Sequence, residues 1–106
     1  MELTFVYLRA ARDVLNDEEW QVVENALLDN PEAGALVAGA GGVRKLRVAF
    51  AGRGKRGSAR TIYLHVGAKQ KVYFILAYAK NVQETISAAD KQVIKATVAA
   101  LMQEAR

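Results

Sequence analysis

The sequence has no cysteine and only one proline and one histidine in 106 residues. Without cysteine there is no disulfide, no thiolate nucleophile and no thiolate-based zinc site, which fits a reducing cytoplasm. A single histidine excludes paired-histidine acid–base chemistry. No run approaches the roughly 18 apolar residues that a membrane helix needs. The opening Met1-Glu2-Leu3-Thr4-Phe5-Val6 has an acid at its second position and a short apolar stretch, unlike a signal peptide. The most informative absence is of negative charge: residues 33 to 83 contain no Asp or Glu, yet ten Lys or Arg.

That gap is compensated elsewhere. Residues 1 to 32 hold eight acids against two bases, Arg9 and Arg12, and from Glu84 onward the count is three against three, leaving a net charge of +4. Soluble surfaces usually intersperse the two signs. Ten cations without a local counter-charge repel one another, so a polyanionic ligand accounts for them better than solubility alone. The acids fall mainly in helix-like N-terminal sequence without the spacing of metal ligands, which argues against a metallonuclease. The length predicts one domain, 1–106, with one core and one main site.

Leu3 to Leu8 is apolar and rich in β-formers, a first strand expected to be buried on both faces. Asn16 is placed to cap a helix, with Glu19 three residues on to complete a capping box. Trp20, Val23, Leu27 and Leu28 recur at helical spacing before Asn30-Pro31 stops the helix. The small-residue stretch Pro31 to Gly42 holds a turn or short helix. Three strand-like runs come after it: Val43 to Ala51, Arg60 to Val66 and Lys71 to Tyr78. Glycine-rich Gly52 to Ser58 joins the first pair, and Gly67 to Gln70 the second. Such short links predict an antiparallel meander. Ser87 then caps a last helix bearing Ile94, Val98, Leu101 and Met102 on one face. The fold class expected is α+β, an antiparallel sheet with one or two N-terminal helices and a C-terminal helix.

Strand alternation places Leu46, Val48 and Phe50 on one face and Lys45, Arg47 and Ala49 on the other. Two cations side by side on a sheet destabilise it unless an anion lies over them, so the pair points to a phosphate site. The loop Gly52 to Ser58 lacks the order of a nucleotide-binding phosphate loop and the helix that must come after one. Its glycines and its Arg53, Lys55 and Arg56 suit an RNA backbone better. Arg60, at the junction of loop and strand, can clamp a phosphate with two hydrogen bonds. His65 shares parity with Thr61 and Tyr63 rather than Arg60, and is not a catalytic choice. Tyr63, Tyr73 and Tyr78 could stack on bases, although an aromatic in a strand is more often core. Tyr78 is the best of the three because it shares a face with Lys80.

The segments Gly41-Gly42-Val43-Arg44-Lys45-Leu46-Arg47-Val48, Gly54-Lys55-Arg56-Gly57-Ser58-Ala59-Arg60, Ile62-Tyr63 and Ile75-Leu76-Ala77-Tyr78-Ala79-Lys80-Asn81 together resemble toxins of the RelE/HigB group, particularly a HigB-like branch. The resemblance spans most of residues 17 to 104. It implies a RelE-like twisted antiparallel sheet and a type II toxin that cuts messenger RNA on the ribosome without a metal or other cofactor. Lys45 and Arg47 match basic residues that activate the ribose 2′-hydroxyl, Arg60 the arginine that stabilises the transition state, and Lys80 a basic residue near the leaving group. Because a base must shed its proton near neutrality, and neighbouring cations favour that loss, Lys45 is the expected base.

Arg44, Arg53, Lys55, Arg56, Tyr78 and Asn81 are the expected RNA contacts. The chain departs from RelE in carrying Asn81 where RelE has a further arginine, and Ile86 or Ser87 where RelE has a tyrosine. The partners implied are a cognate antitoxin with a helix-turn-helix, and the ribosome with its mRNA and ribosomal RNA; no membrane is involved. The competing functions are a ParE-like gyrase inhibitor, which shares the fold, and a non-catalytic RNA- or ribosome-binding module.

Overall fold

A computed structural model describes residues 2–6, 15–49, 58–79 and 86–104 of the chain. Five strands and two helices occur in the order β1 (Glu2–Phe5), α1 (Asp17–Asp29), β2 (Ala35–Leu36), β3 (Arg44–Ala49), β4 (Ser58–Val66), β5 (Lys71–Ala79) and α2 (Ala88–Glu104). One sheet contains all the strands in the order β1-β5-β4-β3-β2. The meander β3-β4-β5 is antiparallel, as its short links predict, and β2 joins β3 antiparallel. β1 instead pairs in parallel with β5, making the sheet mixed. The parallel direction is open to β1 because no hairpin ties it to β5; the intervening chain crosses from one sheet edge to the other.

That edge position corrects one expectation. Leu3, Thr4 and Val6 are only partly buried, because β1 has a neighbour on one side alone. The continuation to Tyr7 and Leu8 lies outside the described residues, as do residues 50–57.

Local signals set the helices. The Asn16 side chain accepts from the Glu19 N–H at 2.8 Å, and the Glu19 carboxylate accepts from the Asn16 N–H at 2.9 Å, closing the capping box. The Ser87 hydroxyl accepts from the Asp90 N–H at 3.0 Å and starts α2. Two residues expected in apolar stripes are exposed, Leu28 at 53% and Met102 at 45%. Each stands one position, about 100° of helix, beyond the last buried residue of its stripe, Leu27 or Leu101.

Strand alternation feeds two apolar clusters on opposite faces of the sheet. Leu15, Trp20, Val23 and Leu27 cover Ala59, Tyr63, Val72, Phe74 and Ala77, with Trp20 edge-on to Phe74 at 5.3 Å between ring centres. On the other face Ile94, Val98 and Leu101 cover Val43, Ile62, Leu64, Val66, Tyr73, Ile75 and Leu76. Along β5 the alternation breaks once. Ile62 pairs with Leu76 and Tyr63 with Phe74, leaving Ile75 without an opposite residue, a β-bulge. Ile75 and Leu76 therefore both serve the α2 face, and every β5 side chain beyond them changes sides.

The segment between α1 and β3 holds a two-residue strand that small-residue composition did not disclose. Its anchor is Tyr63, fully buried in β4, whose hydroxyl accepts from the Gly34 N–H at 2.9 Å and donates to the Pro31 carbonyl at 2.8 Å. A Cβ at Gly34 would lie 2.9 Å from the Lys45 carbonyl oxygen and from the Tyr63 ring, so only glycine lets the loop approach this closely. Gly41 and Gly42, at φ of 79° and 103°, turn the chain from β2 into β3.

Burial raises the Tyr63 phenol above its ordinary pKa, partly offset by the Gly34 hydrogen bond and the Arg44 charge. The unfolded chain would ionise near the usual tyrosine value of about 10 while the folded one stays neutral, so above that pH the unfolded state holds fewer protons and stability falls. Denaturation against pH should show an alkaline loss beginning near pH 10, as an approximate figure from that reference value, and shallower in Tyr63→Phe. At neutral pH, Tyr63→Phe should cost about 1–3 kcal/mol in urea melts with the slope unchanged, because the buried Gly34 N–H and the partly buried Pro31 carbonyl lose their bonds.

Candidate RNA-binding site

Three of the four cations expected to act together, Lys45, Arg47 and Arg60, share one face; the fourth, Lys80, lies outside the described residues. Antiparallel register sets Arg47 opposite Arg60 and Lys45 opposite Ile62, so Lys45, Arg47 and Arg60 project on the α2 side of the sheet. Lys45 and Arg60 are partly buried and Arg47 is exposed. Among the described residues none of the three has a carboxylate partner; Lys71, by contrast, meets Glu2 at 3.6 Å on the far edge of the sheet. Among the described residues Arg60 makes a single long contact, from Nη1 to the Ala59 carbonyl at 3.4 Å, which occupies one of its five donors. Two guanidinium-bearing residues directly opposite across a ladder repel each other. An anion bridging them would reverse that repulsion, and a phosphate diester has the charge and paired oxygens to do so.

Arg44 stands apart from this group. It has the parity of Leu46, and its Nη1 donates to the Gly34 carbonyl at 2.8 Å and the Glu32 carbonyl at 3.4 Å. An expected RNA contact is thus occupied as a clamp on the loop that Tyr63 anchors. The alternation that separated Lys45 and Arg47 from Leu46 carried this signal already.

Tyr78 also differs from its expected role as a base-stacking platform. The β5 bulge turns it to the α2 face, where it stands opposite Arg60 and is only 4% exposed. Burial raises its phenol pKa, and the Arg60 charge works against that shift. Tyr63 and Tyr73 are buried as well. None of the three offers an open ring face. His65 pairs with Val72, away from the cations, in keeping with its parity. Lys80, Asn81, Arg53, Lys55 and Arg56 lie outside the described residues. Among the described residues no cluster of His, Asp or Glu could hold a metal ion, and no helix is long and apolar enough to cross a membrane.

A sequence profile described as the RelE toxin of the RelE / RelB toxin–antitoxin system matches residues 3–106. The chain belongs to the RelE toxin family. Its fold is similar to that of E. coli toxin RelE, solved as a double mutant in the free state, with a TM-score of 0.51 over 92% of this chain and 97% of that one at 15% identity. The protein is therefore the toxin component of a toxin–antitoxin system, and an antitoxin is its implied partner. RelE toxins are in general endoribonucleases.

Within that family this toxin has used its downstream positions structurally. Ile86 and Ser87 stand where the resemblance would place a tyrosine; Ile86 is 5% exposed in the α2-side core, and Ser87 caps α2. The aromatic beside the cations is Tyr78, on the strand rather than after it.

Removing one of the opposed arginines relieves repulsion. Arg47→Gln should raise the thermal midpoint at low ionic strength, with the gain shrinking as salt screens the pair. Sulfate or phosphate should raise the wild-type midpoint more than chloride at matched ionic strength.

Proposed function

We propose that this toxin is a ribosome-dependent mRNA endoribonuclease that needs no metal and uses the ribose 2′-hydroxyl as nucleophile. The observation that carries the reading is the trio Lys45, Arg47 and Arg60 on one sheet face, without carboxylate partners among the described residues. Lys45, as the base, takes the 2′-hydroxyl proton as that oxygen attacks the adjacent phosphorus. The bond from phosphorus to the 5′-oxygen breaks, giving a 2′,3′-cyclic phosphate and a 5′-hydroxyl. Lys80, which the resemblance implies lies near the leaving group, would supply that oxygen's proton. Arg47 orients the phosphate, and Arg60 stabilises the extra negative charge of the transition state.

The attacking and leaving groups are parts of the substrate, so the protein's task is positioning and charge stabilisation. A ribosome that holds mRNA in place supplies much of the positioning. It also presents a polyanionic surface to Arg53, Lys55 and Arg56. The antitoxin, carrying a helix-turn-helix in the HigB-like arrangement, would silence the toxin in the cytoplasm by covering the basic face.

Wild type and Arg60→Ala should be induced from a tight promoter and mRNA 5′ ends mapped in translated and untranslated reporters. Cuts confined to the translated reporter and absent in the mutant are the expected result. On programmed ribosomes, single-turnover cleavage should fall about 10²–10³-fold in Arg60→Ala and by about 10²–10⁴-fold in Lys45→Ala. Growth arrest without cuts would overturn the proposal, and loss of plasmid supercoiling would then identify a gyrase inhibitor. Ribosome binding without either effect would identify a non-catalytic module.

A further inference from the structure

Tyr78 combines three properties that core packing does not explain together. It is only 4% exposed, yet its hydroxyl oxygen has no hydrogen-bond partner among the described residues. The residue directly opposite it on β4 is Arg60. Arg60 in turn makes only one long contact, 3.4 Å, among the described residues. A buried hydroxyl without a partner is destabilising, and phenylalanine would fill the same space without that cost. A partner gained when a ligand binds would remove that cost.

The neighbours narrow the choice. Of the other cations on this face, Lys45 and Arg47 belong to β3, one strand further away, while β4 places Arg60 immediately beside β5. Without the bulge at Ile75, Tyr78 would have the parity of Phe74 and point toward α1. The bulge brings the phenol to Arg60.

We infer that Tyr78 is a positioning residue for Arg60: its phenol oxygen accepts a guanidinium N–H when Arg60 turns to grip a phosphate, fixing the plane of the guanidinium. A guanidinium that binds two phosphate oxygens along one edge keeps further N–H groups for a supporting acceptor. A fixed plane keeps both bonds aligned, which a freely rotating arginine does not. The influence of the Arg60 charge on the phenol agrees with this proximity. The inference rests on the assignment of Arg60 as a phosphate-binding residue.

The test uses inorganic phosphate, so it is independent of cleavage. Phosphate should be titrated into ¹⁵N-labelled free toxin while the Arg60 Nε–H is followed by NMR, for wild type, Tyr78→Phe, Arg60→Ala and the double variant, with backbone amides reporting where Arg60 is absent. Thermal melts accompany each. Tyr78→Phe should melt no lower than wild type but bind phosphate about tenfold more weakly, the loss of one charge-assisted bond. In the Arg60→Ala background the same substitution should change the residual affinity little, because the two residues act as one unit.

Equal phosphate affinity in Tyr78→Phe would overturn the inference. So would an equal loss with and without Arg60, a lowered melting temperature, or wild type that does not bind phosphate. Cleavage on programmed ribosomes separates the two readings: wild type that fails to cut while the phosphate coupling holds would overturn the nuclease and leave the role of Tyr78 intact.

Discussion

Strand β4 is buried on both faces, and that burial fixes its register. Thr61 and Tyr63 have no exposed surface on the α1 side, nor does Ile62 on the α2 side. A slip of one residue would exchange the two sets, driving Tyr63 away from Gly34 and Pro31 and Arg60 into the α1 cluster. Each strand that pairs with β4 inherits this constraint. Arg47 stands opposite Arg60 because β3 is aligned by the same ladder. The opposition of the two arginines is thus set by the packing of apolar residues two and four positions from the charges.

The bulge in β5 is the second constraint, and it depends on the first. With β4 held, an extra residue in β5 can only reverse the sidedness of the residues beyond it. Ile75 and Leu76 enlarge the α2-side core, and Tyr78 is carried across to Arg60. The same local irregularity supplies apolar area to one helix and an aromatic hydroxyl to the site. This economy explains why the toxin tolerates a break in the ladder beside its cations.

Much of this is legible in sequence because it depends on short-range rules. Asn16 with Glu19, and Ser87 with Asp90, are capping signals within one turn of helix, and both form. The parity of Lys45 and Arg47 comes from a period of two, as does the separation of His65 from Arg60. Other features depend on contacts distant in the chain. The clamp of Arg44 on Gly34 requires knowing that the segment before β3 folds back as a strand, which Ala35 and Leu36 scarcely announce. The parallel pairing of β1 requires knowing which sheet edge is vacant. Tyr78 escapes the short-range rules for a similar reason: simple alternation assigns its face only if no bulge intervenes, and no glycine or proline marks Ile75.

The sorting of charge along the chain acquires a structural meaning from these contacts. The acid-free stretch of residues 33 to 83 contains β3, β4 and β5, so the sheet itself carries the positive charge, while the acids of α1 stand on the opposite side. Asp17, Glu18 and Glu19 occupy the first turn of that helix, where its dipole favours them. Stabilising α1 therefore does not require placing carboxylates beside Lys45, Arg47 and Arg60, where they would neutralise the site. A fold with helices on both faces of one sheet can seat the acid-rich α1 on one face and keep the strand cations on the other, where α2 carries Asp90 and Glu104 balanced by Lys91 and Lys95. For a toxin proposed to bind a polyanion, and to be silenced by a partner covering the same face, that separation leaves Lys45, Arg47 and Arg60 without a carboxylate partner among the described residues.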